Sequence, residues 1–176
     1  MRHGPPGEYE LAHAVVETDV WPVGGKAVVA FYLHPMEPSI PRSSEPDIRE
    51  ITGYAFLPES DGRFRRVLLG VIGHNGGDPE IRSVFFANAD ADPEKELVVI
   101  AAWQVMNAVA GGTYYDTYVY ARPSAARPGS FVYLKDVSEK VSGGCDCEWP
   151  EERRSRKARF KTAADVRAEL RRLGYG

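Results

Sequence analysis

The sequence predicts an α+β domain that is mainly β, an antiparallel meander, sandwich or partial barrel with a C-terminal helix. Aromatic residues make up 11% of the chain, and 17 glycines and 13 prolines lie mostly between short apolar segments. This composition is typical of strands joined by turns. The hydrophobic pattern fits strands through most of the chain and changes to a helical spacing near the C-terminus.

The chain length fits one domain. At 176 residues the chain can bury a core without disulfides. Its hydrophobic fraction of 43% and charged fraction of 27% are ordinary for a folded protein. We expect a single domain over residues 1–176, with residues 1–7 disordered, a β-rich body over 8–134, and a basic arm with the C-terminal helix over 135–176.

The strands are predicted from apolar patterns and the turn residues that bound them. Alternation in residues 8–20 favours a strand without excluding a helix. Residues 26–33 form an apolar run that predicts a buried strand, and prolines make residues 34–46 a surface loop. Further strands are predicted at 53–57, 64–72, 81–87, 96–103, 113–122 and 131–134, with turns or loops at 60–63, 74–79, 88–95, 110–112 and 123–128.

The C-terminal helix has both a start and a stop signal. Thr162 and Asp165 have the spacing of a capping box, in which each side chain bonds the backbone of the other residue. Val166, Leu170 and Leu173 follow at helical spacing, and Gly174 ends the pattern. A second, shorter helix is expected over residues 136–141.

The charge pattern narrows the class of partner. The net charge is −3, which argues against general nucleic-acid binding. Residues 135–176 carry +3 and the rest of the chain −6, an acidic body with a mildly basic tail. The longest apolar run, residues 97–110, is too short for a membrane helix, so no integral membrane segment is expected.

One acidic loop has the spacing of a cation site. Asn88, Asp90, Asp92 and Glu96 stand at positions 1, 3, 5 and 9 of one loop before an apolar strand, and Ca²⁺ prefers six to eight oxygen ligands. The pattern resembles the calcium loop of FG-GAP and VCBS-type repeats. That resemblance implies that these four residues bind Ca²⁺, although Pro93 stands where the family has glycine. A solvated acidic turn is the alternative reading.

A wider resemblance concerns the source of the chain. Residues 84–99, 112–120 and 143–149 together look like a group of uncharacterised bacterial proteins, many of them exported. The resemblance implies a bacterial protein and favours an exported or periplasmic location over a cytoplasmic one. It implies no biochemical function.

Two further segments are candidate sites. Cys145 and Cys147 are the only cysteines; they could hold a soft metal or present a reactive thiol, or they lie in a tight turn beside Trp149. A disulfide between them would close a very small ring and stabilise little.

The second segment is the strand expected over residues 113–122. It carries a tyrosine-rich face that suits protein recognition. The alternative interpretation is that these residues form a half-buried face of the sheet and have no role in recognition. The candidate partner-binding residues are Tyr114, Asp116, Tyr118 and Tyr120.

These observations favour a binding protein over an enzyme. The chain has no G-x-S-x-G elbow, H-E-x-x-H helix, phosphate loop or dinucleotide fingerprint. The leading hypothesis is a non-catalytic bacterial protein that acts by contact with another protein, in one form as an inhibitor or immunity protein. The alternatives are a calcium-stabilised β module and a hydrolase without a recognised motif.

Overall fold

Two antiparallel β-sheets stack face to face, and two helices cover the outer side of the second sheet. The computed structural model describes residues 9–21, 24–36, 48–106, 110–123 and 129–175. The expected disorder of residues 1–7, and most of the loops expected at 34–46 and 123–128, lie outside these described residues. The predicted class, mainly β with a C-terminal helix, is confirmed, and among the predicted architectures the chain adopts the sandwich.

The first sheet has the order β1-β3-β4-β5, with β2 also paired to β3. Its strands are β1 (Glu10–Leu11), β2 (Val16–Thr18), β3 (Ala27–Pro35), β4 (Arg49–Pro58) and β5 (Phe64–Ile72). The β4–β5 hairpin turns where Glu59 N–H donates to Arg63 O at 2.8 Å. Gly62 takes a φ of +80° in this turn, a conformation that glycine adopts without steric cost.

The second sheet has the order β11-β10-β8-β7-β6, with β9 also paired to β8. Its strands are β6 (Pro79–Ala87), β7 (Glu96–Met106), β8 (Gly111–Ala121), β9 (Val132–Tyr133), β10 (Gly144–Trp149) and β11 (Arg154–Arg156). Consecutive antiparallel hairpins join β6, β7 and β8, as the meander pattern of the sequence predicts.

The main core lies between the two sheets. Strand β7 is buried from Glu96 through Trp103, because its alternate side chains face the first sheet on one side and the helices on the other. Side chains facing the first sheet join a cluster whose large members include Trp21, Phe31, Ile51, Ile72, Leu97, Val99 and Trp103.

A second core lies between the second sheet and the helices α1 (Lys135–Val141) and α2 (Ala163–Arg172). It includes Phe85, Val98, Ile100, Val119, Val137, Val141, Phe160, Val166 and Leu170. No helix in the described part of the chain is long and apolar enough to cross a membrane.

Both ends of α2 follow the sequence signals. Thr162 Oγ1 accepts from Asp165 N–H at 3.2 Å, and Asp165 Oδ2 accepts from Thr162 N–H at 3.0 Å, which confirms the capping box. At the other end Tyr175 N–H donates to Leu170 O at 2.9 Å around Gly174, whose φ is +91°. This is the glycine-dependent end that stops many helices.

Helix α1 fills a gap in the second sheet. On its side away from β7, strand β8 pairs with β10 over Gly111–Tyr115 and with β9 over Tyr120–Ala121. Between these stretches two serine hydroxyls of the α1 segment replace a strand. Ser138 Oγ accepts from Val119 N–H at 3.0 Å, and Ser142 Oγ accepts from Thr117 N–H at 3.1 Å.

Three local predictions need correction. Residues 8–20 contain two short strands and not one. Gly111 and Gly112 belong to β8, where they pair with Met106 and Val105, and not to the preceding turn. The segment around the cysteines is a strand, β10, and it forms a hairpin with β11 inside the basic arm.

Candidate functional site

The acidic loop between β6 and β7 is built from successive side-chain-to-backbone turns. Asn88, Asp90 and Asp92 each accept a hydrogen bond from the backbone N–H two residues further on, at 3.3, 2.9 and 2.8 Å. Asn88 Nδ2 also donates to Asp92 O at 2.8 Å. Short polar side chains favour this geometry because they replace backbone bonds in a turn. The loop is therefore fixed by its own side chains.

Glu96 lies beneath the loop as the first residue of β7. It is only 2% exposed, and its Oε2 accepts from Ala89 N–H at 2.6 Å. The pKa of its carboxyl group is raised to about 7, chiefly by burial and in part by the nearby Asp90 and Asp92 carboxylates, while the hydrogen bond from Ala89 opposes the shift. A buried carboxylate surrounded by like charge favours either a proton or a cation.

Three of the four predicted ligands converge. One carboxylate oxygen each from Asp90, Asp92 and Glu96 lie within 4.8 Å of one another. The amide of the fourth predicted ligand, Asn88, bonds the loop backbone at both ends: its Oδ1 accepts from Asp90 N–H at 3.3 Å and its Nδ2 donates to Asp92 O at 2.8 Å. The arrangement offers hard oxygen ligands to a divalent cation. Backbone carbonyl oxygens and water molecules would have to complete the coordination shell of Ca²⁺.

Two contacts attach the loop to the body of the fold. Arg122, just beyond β8, forms a two-pronged ion pair with Glu94, in which Nε lies 2.6 Å from Oε2. Trp21 Nε1 donates to Lys95 O at 3.4 Å. The loop is thus held at both the solvent side and the core side.

The tyrosine-rich face of β8 points toward the first sheet. Tyr114 stacks near Trp103 with ring centroids 6.0 Å apart, and Tyr120 is only 4% exposed. Asp116 is bound by the Ser142 hydroxyl. The four predicted partner-binding residues do share one face, as expected, but that face lies along the inside of the sandwich.

Tyr118 and Tyr120 line a cleft of about 280 Å³. The other lining residues are Tyr133 of β9 and Leu69, Gly70 and Val71 of β5. Burial raises the pKa of both β8 hydroxyls above the ordinary tyrosine value, and for Tyr118 the Asp116 carboxylate adds to the shift. The phenols are therefore hydrogen-bond donors at ordinary pH.

The outer side of the first sheet is an apolar surface that the sequence did not identify. Cross-strand partners share a face, and the register places Leu11, Tyr32, Thr52 and Val71 in one row and Tyr54 and Leu68 in the next. We call this surface the outer apolar face; it consists of Tyr9, Leu11, Tyr32, Tyr54, Phe56, Phe64, Leu68 and Val71.

The outer apolar face of the first sheet is exposed, whereas the outer side of the second sheet is covered by the two helices. Leu11 is 55% and Leu68 53% exposed, while both helices pack on the other sheet. Arg66 lies over the Tyr54 ring at 5.0 Å. The alternating pattern of β4 and β5 indicates two faces, but only the position of the helices shows which face stays open.

Cys145 and Cys147 are joined by a disulfide within β10, with their Cα atoms 5.3 Å apart. In this state the sulfurs are not thiolate ligands. Strand β10 runs very close to Gly112 of β8, where a Cβ would lie 2.2 Å from Asp146 O. Asp146 itself is bound by Lys157 at 3.1 Å and Lys161 at 2.8 Å, and these ammonium groups lower the pKa of its carboxyl group.

Comparison with known proteins gives no relative of this chain: no family model, curated protein or solved structure matches it. The assignment of function therefore depends on the geometry of the surfaces described above.

Proposed function

We propose that the chain is a non-catalytic binding protein of bacterial type that acts by contact with another protein through its outer apolar face. The observation that carries this proposal is the exposure of large apolar side chains on one sheet while helices cover the other. Contiguous exposed apolar surface rimmed by polar residues is typical of interaction sites. Tyrosine, phenylalanine and arginine are enriched in such interfaces.

One concrete form of the proposal is an inhibitor or immunity protein that blocks a toxic enzyme. The net charge of −3 would suit an enzyme with a basic surface, because complementary charge accelerates association. The aromatic rings of the outer apolar face would then form the buried centre of the complex.

The test is binding to the purified enzyme encoded next to this chain's gene. We expect Leu11→Asp and Leu68→Asp each to weaken the dissociation constant by at least about tenfold, because each places a charge in the apolar contact. Both side chains are more than half exposed, so the substitutions should leave the fold intact. Isothermal titration calorimetry measures the effect.

Met106→Asp is the matched control, because Met106 is 87% exposed at the end of β7 and outside the outer apolar face. Absence of binding to the neighbouring enzyme would reject the immunity form. An equal loss of affinity in all three variants would reject the outer apolar face as the contact surface.

A second candidate function is a calcium-stabilised β module. The observation that favours it is the convergence of Asp90, Asp92 and Glu96 oxygens within 4.8 Å. A cation at this position would neutralise the carboxylate buried beneath the loop and link the loop to the start of β7. This role and the binding role are compatible, because the loop and the outer apolar face are formed by different sheets.

Thermal unfolding with Ca²⁺ and with a chelator tests this second function. A cation that binds only the folded state raises the melting temperature. At a hundredfold excess over its dissociation constant, it increases the free energy of unfolding by about 2.7 kcal/mol. We expect Asp92→Asn to abolish the increase and Asp61→Asn, in the β4–β5 turn, to preserve it. An unchanged melting temperature of the wild type would exclude the site.

A further inference from the structure

The disulfide of β10 joins a half-buried cysteine to a buried one. Cys147 is only 2% exposed, whereas Cys145 is intermediate in exposure. Their Cα atoms are 5.3 Å apart, against about 6.7 Å for residues i and i+2 of a regular strand, so β10 is locally shortened. One sulfur of the bridge therefore belongs to a residue that solvent reaches, and the other to a residue that is almost entirely covered.

Strand β10 is held on both sides independently of the bridge. It pairs with β8 over residues 144–148 and with β11 over residues 147–149. Opposite Cys147 stands Gly112, where a Cβ would collide with Asp146 O, so β8 leaves room for the shortened strand. A disulfide that spans a single residue closes too small a loop to stabilise the fold much. We therefore expect the chain to stay folded when the bridge is opened.

A guanidinium group lies on the same side of the sheet as the two sulfurs. Arg156 of β11 stands directly opposite Cys147, and cross-strand partners share a face. Its Nη2 would lie 3.5 Å from a Cβ at Gly144, the residue before Cys145. The positive charge of Arg156 therefore lies beside the bridge.

This charge also acts on the residue that faces Cys145 across the sheet, Tyr114. Burial and the Asp116 carboxylate raise the pKa of the Tyr114 hydroxyl, and the charge of Arg156 opposes this rise. In the part of the chain that the structure describes, no carboxylate pairs with Arg156. The two nearby lysines are instead bound to Asp146, whose side chain points to the other face of β10. A thiolate at the bridge would be the anion that Arg156 neutralises.

We propose that Cys145–Cys147 is a reversible thiol–disulfide exchange site that reacts with a dithiol, with Cys145 as the attacked sulfur and Arg156 as the cation that stabilises the Cys147 thiolate. An incoming thiolate forms a bond to Cys145 Sγ, the bond between the two cysteine sulfurs breaks, and its electron pair goes to Cys147 Sγ. The second thiolate of the reductant then attacks the reductant's own sulfur in the mixed disulfide and releases Cys145 as a thiolate. The dithiol is thereby oxidised to a disulfide, and its two protons pass to the two cysteines.

Such a site needs an accessible sulfur, a leaving thiolate of low pKa and a fold that persists in both states. Cys145 provides the accessible sulfur, and Arg156 stabilises the leaving thiolate. The pairing of β10 on both sides keeps the strand in place. The exchange site belongs to the second sheet, so it is independent of the outer apolar face of the first sheet.

Alkylation and mass spectrometry of the full chain test the exchange, with dithiothreitol in the absence of denaturant as the probe dithiol. We expect dithiothreitol to convert both cysteines to thiols and oxidised glutathione to restore the bridge. The circular dichroism spectrum of the folded chain should be retained throughout. A bridge that opens only in denaturant, or cysteines that stay reduced in oxidised glutathione, would overturn the proposal.

Two single-cysteine variants test which sulfur is attacked. Cys147→Ser leaves the half-buried thiol and Cys145→Ser leaves the buried one, so each variant is the matched control of the other. With dithionitrobenzoate under native conditions, we expect Cys147→Ser to react at least about tenfold faster, because thiol reactivity follows exposure. Equal rates, or a faster reaction of Cys145→Ser, would reject Cys145 as the attacked sulfur.

Substitution of Arg156 tests the role of its charge. Arg156→Gln should slow the reduction of the bridge at least about threefold and move the pH profile of thiol alkylation to higher pH, because the thiolate loses its cation. Arg156→Lys keeps the charge and should restore both. Arg154→Gln is the matched control, because Arg154 of the same strand pairs with Glu152 and stacks on Trp149. Equal rates in Arg156→Gln and Arg154→Gln would overturn the role of Arg156.

Discussion

At the scale of single residues, Glu96 couples stability to pH. Its pKa is raised to about 7 in the folded chain, so the folded state binds a proton more tightly than the unfolded state does. Stability without a cation should therefore fall as the pH rises from about 4.5 to about 7 and then level off, by on the order of 2–3 kcal/mol in total. Glu96→Gln should remove this decrease, because the amide carries no charge and can still accept from Ala89 N–H.

Urea unfolding at pH 5 and pH 8, in the presence of a chelator, measures the effect. Glu80→Gln is the control, since Glu80 is an exposed glutamate of β6. An unchanged pH dependence in Glu96→Gln would show that Glu96 does not titrate in this range. Calcium should reverse the sign for the wild type, because a bound cation stabilises the carboxylate form.

At the scale of elements, α1 stabilises the second sheet through its serines. Ser138 is fully buried, and its hydroxyl accepts from Val119 N–H while it donates to Leu134 O at 2.7 Å. Ser138→Ala would leave a buried N–H without a partner, so we expect a loss of about 1–3 kcal/mol in unfolding free energy. Chemical denaturation measures it.

Ser155→Ala in β11 is the matched control, since Ser155 is exposed. A loss no larger than that of the control would mean that water or a shifted backbone replaces the hydroxyl. The same bond should slow exchange of the Val119 amide in the wild type.

The elements also show what could be predicted from the sequence. The β4–β5 hairpin and α2 were predicted because Gly62 and the Thr162–Asp165 pair are local signals. Strand β10 is not predicted, because its glycine and closely spaced cysteines are also typical of a tight turn. The convergence of Asp90, Asp92 and Glu96 follows from spacing within one loop, whereas the outer apolar face depends on which sheet the helices cover.

At the scale of the whole molecule, β7 joins the two cores. Leu97 and Val99 belong to the core between the sheets, while Val98 and Ile100 belong to the core under the helices. The tyrosine face of β8 illustrates the limit of sequence reasoning at this scale. Its composition suits recognition, but the stacking of the two sheets turns it inward, and no local pattern determines that stacking.

The position of the helices also has a consequence for synthesis of the chain. Phe85, Val98, Ile100 and Val119 are translated well before Val166 and Leu170, which cover them. While α2 is still inside the ribosome, the second sheet presents an apolar side to the cytosol or translocation machinery. Transiently exposed apolar strands are prone to aggregate. We therefore expect the nascent chain to be most prone to aggregation in the interval before α2 emerges from the ribosome.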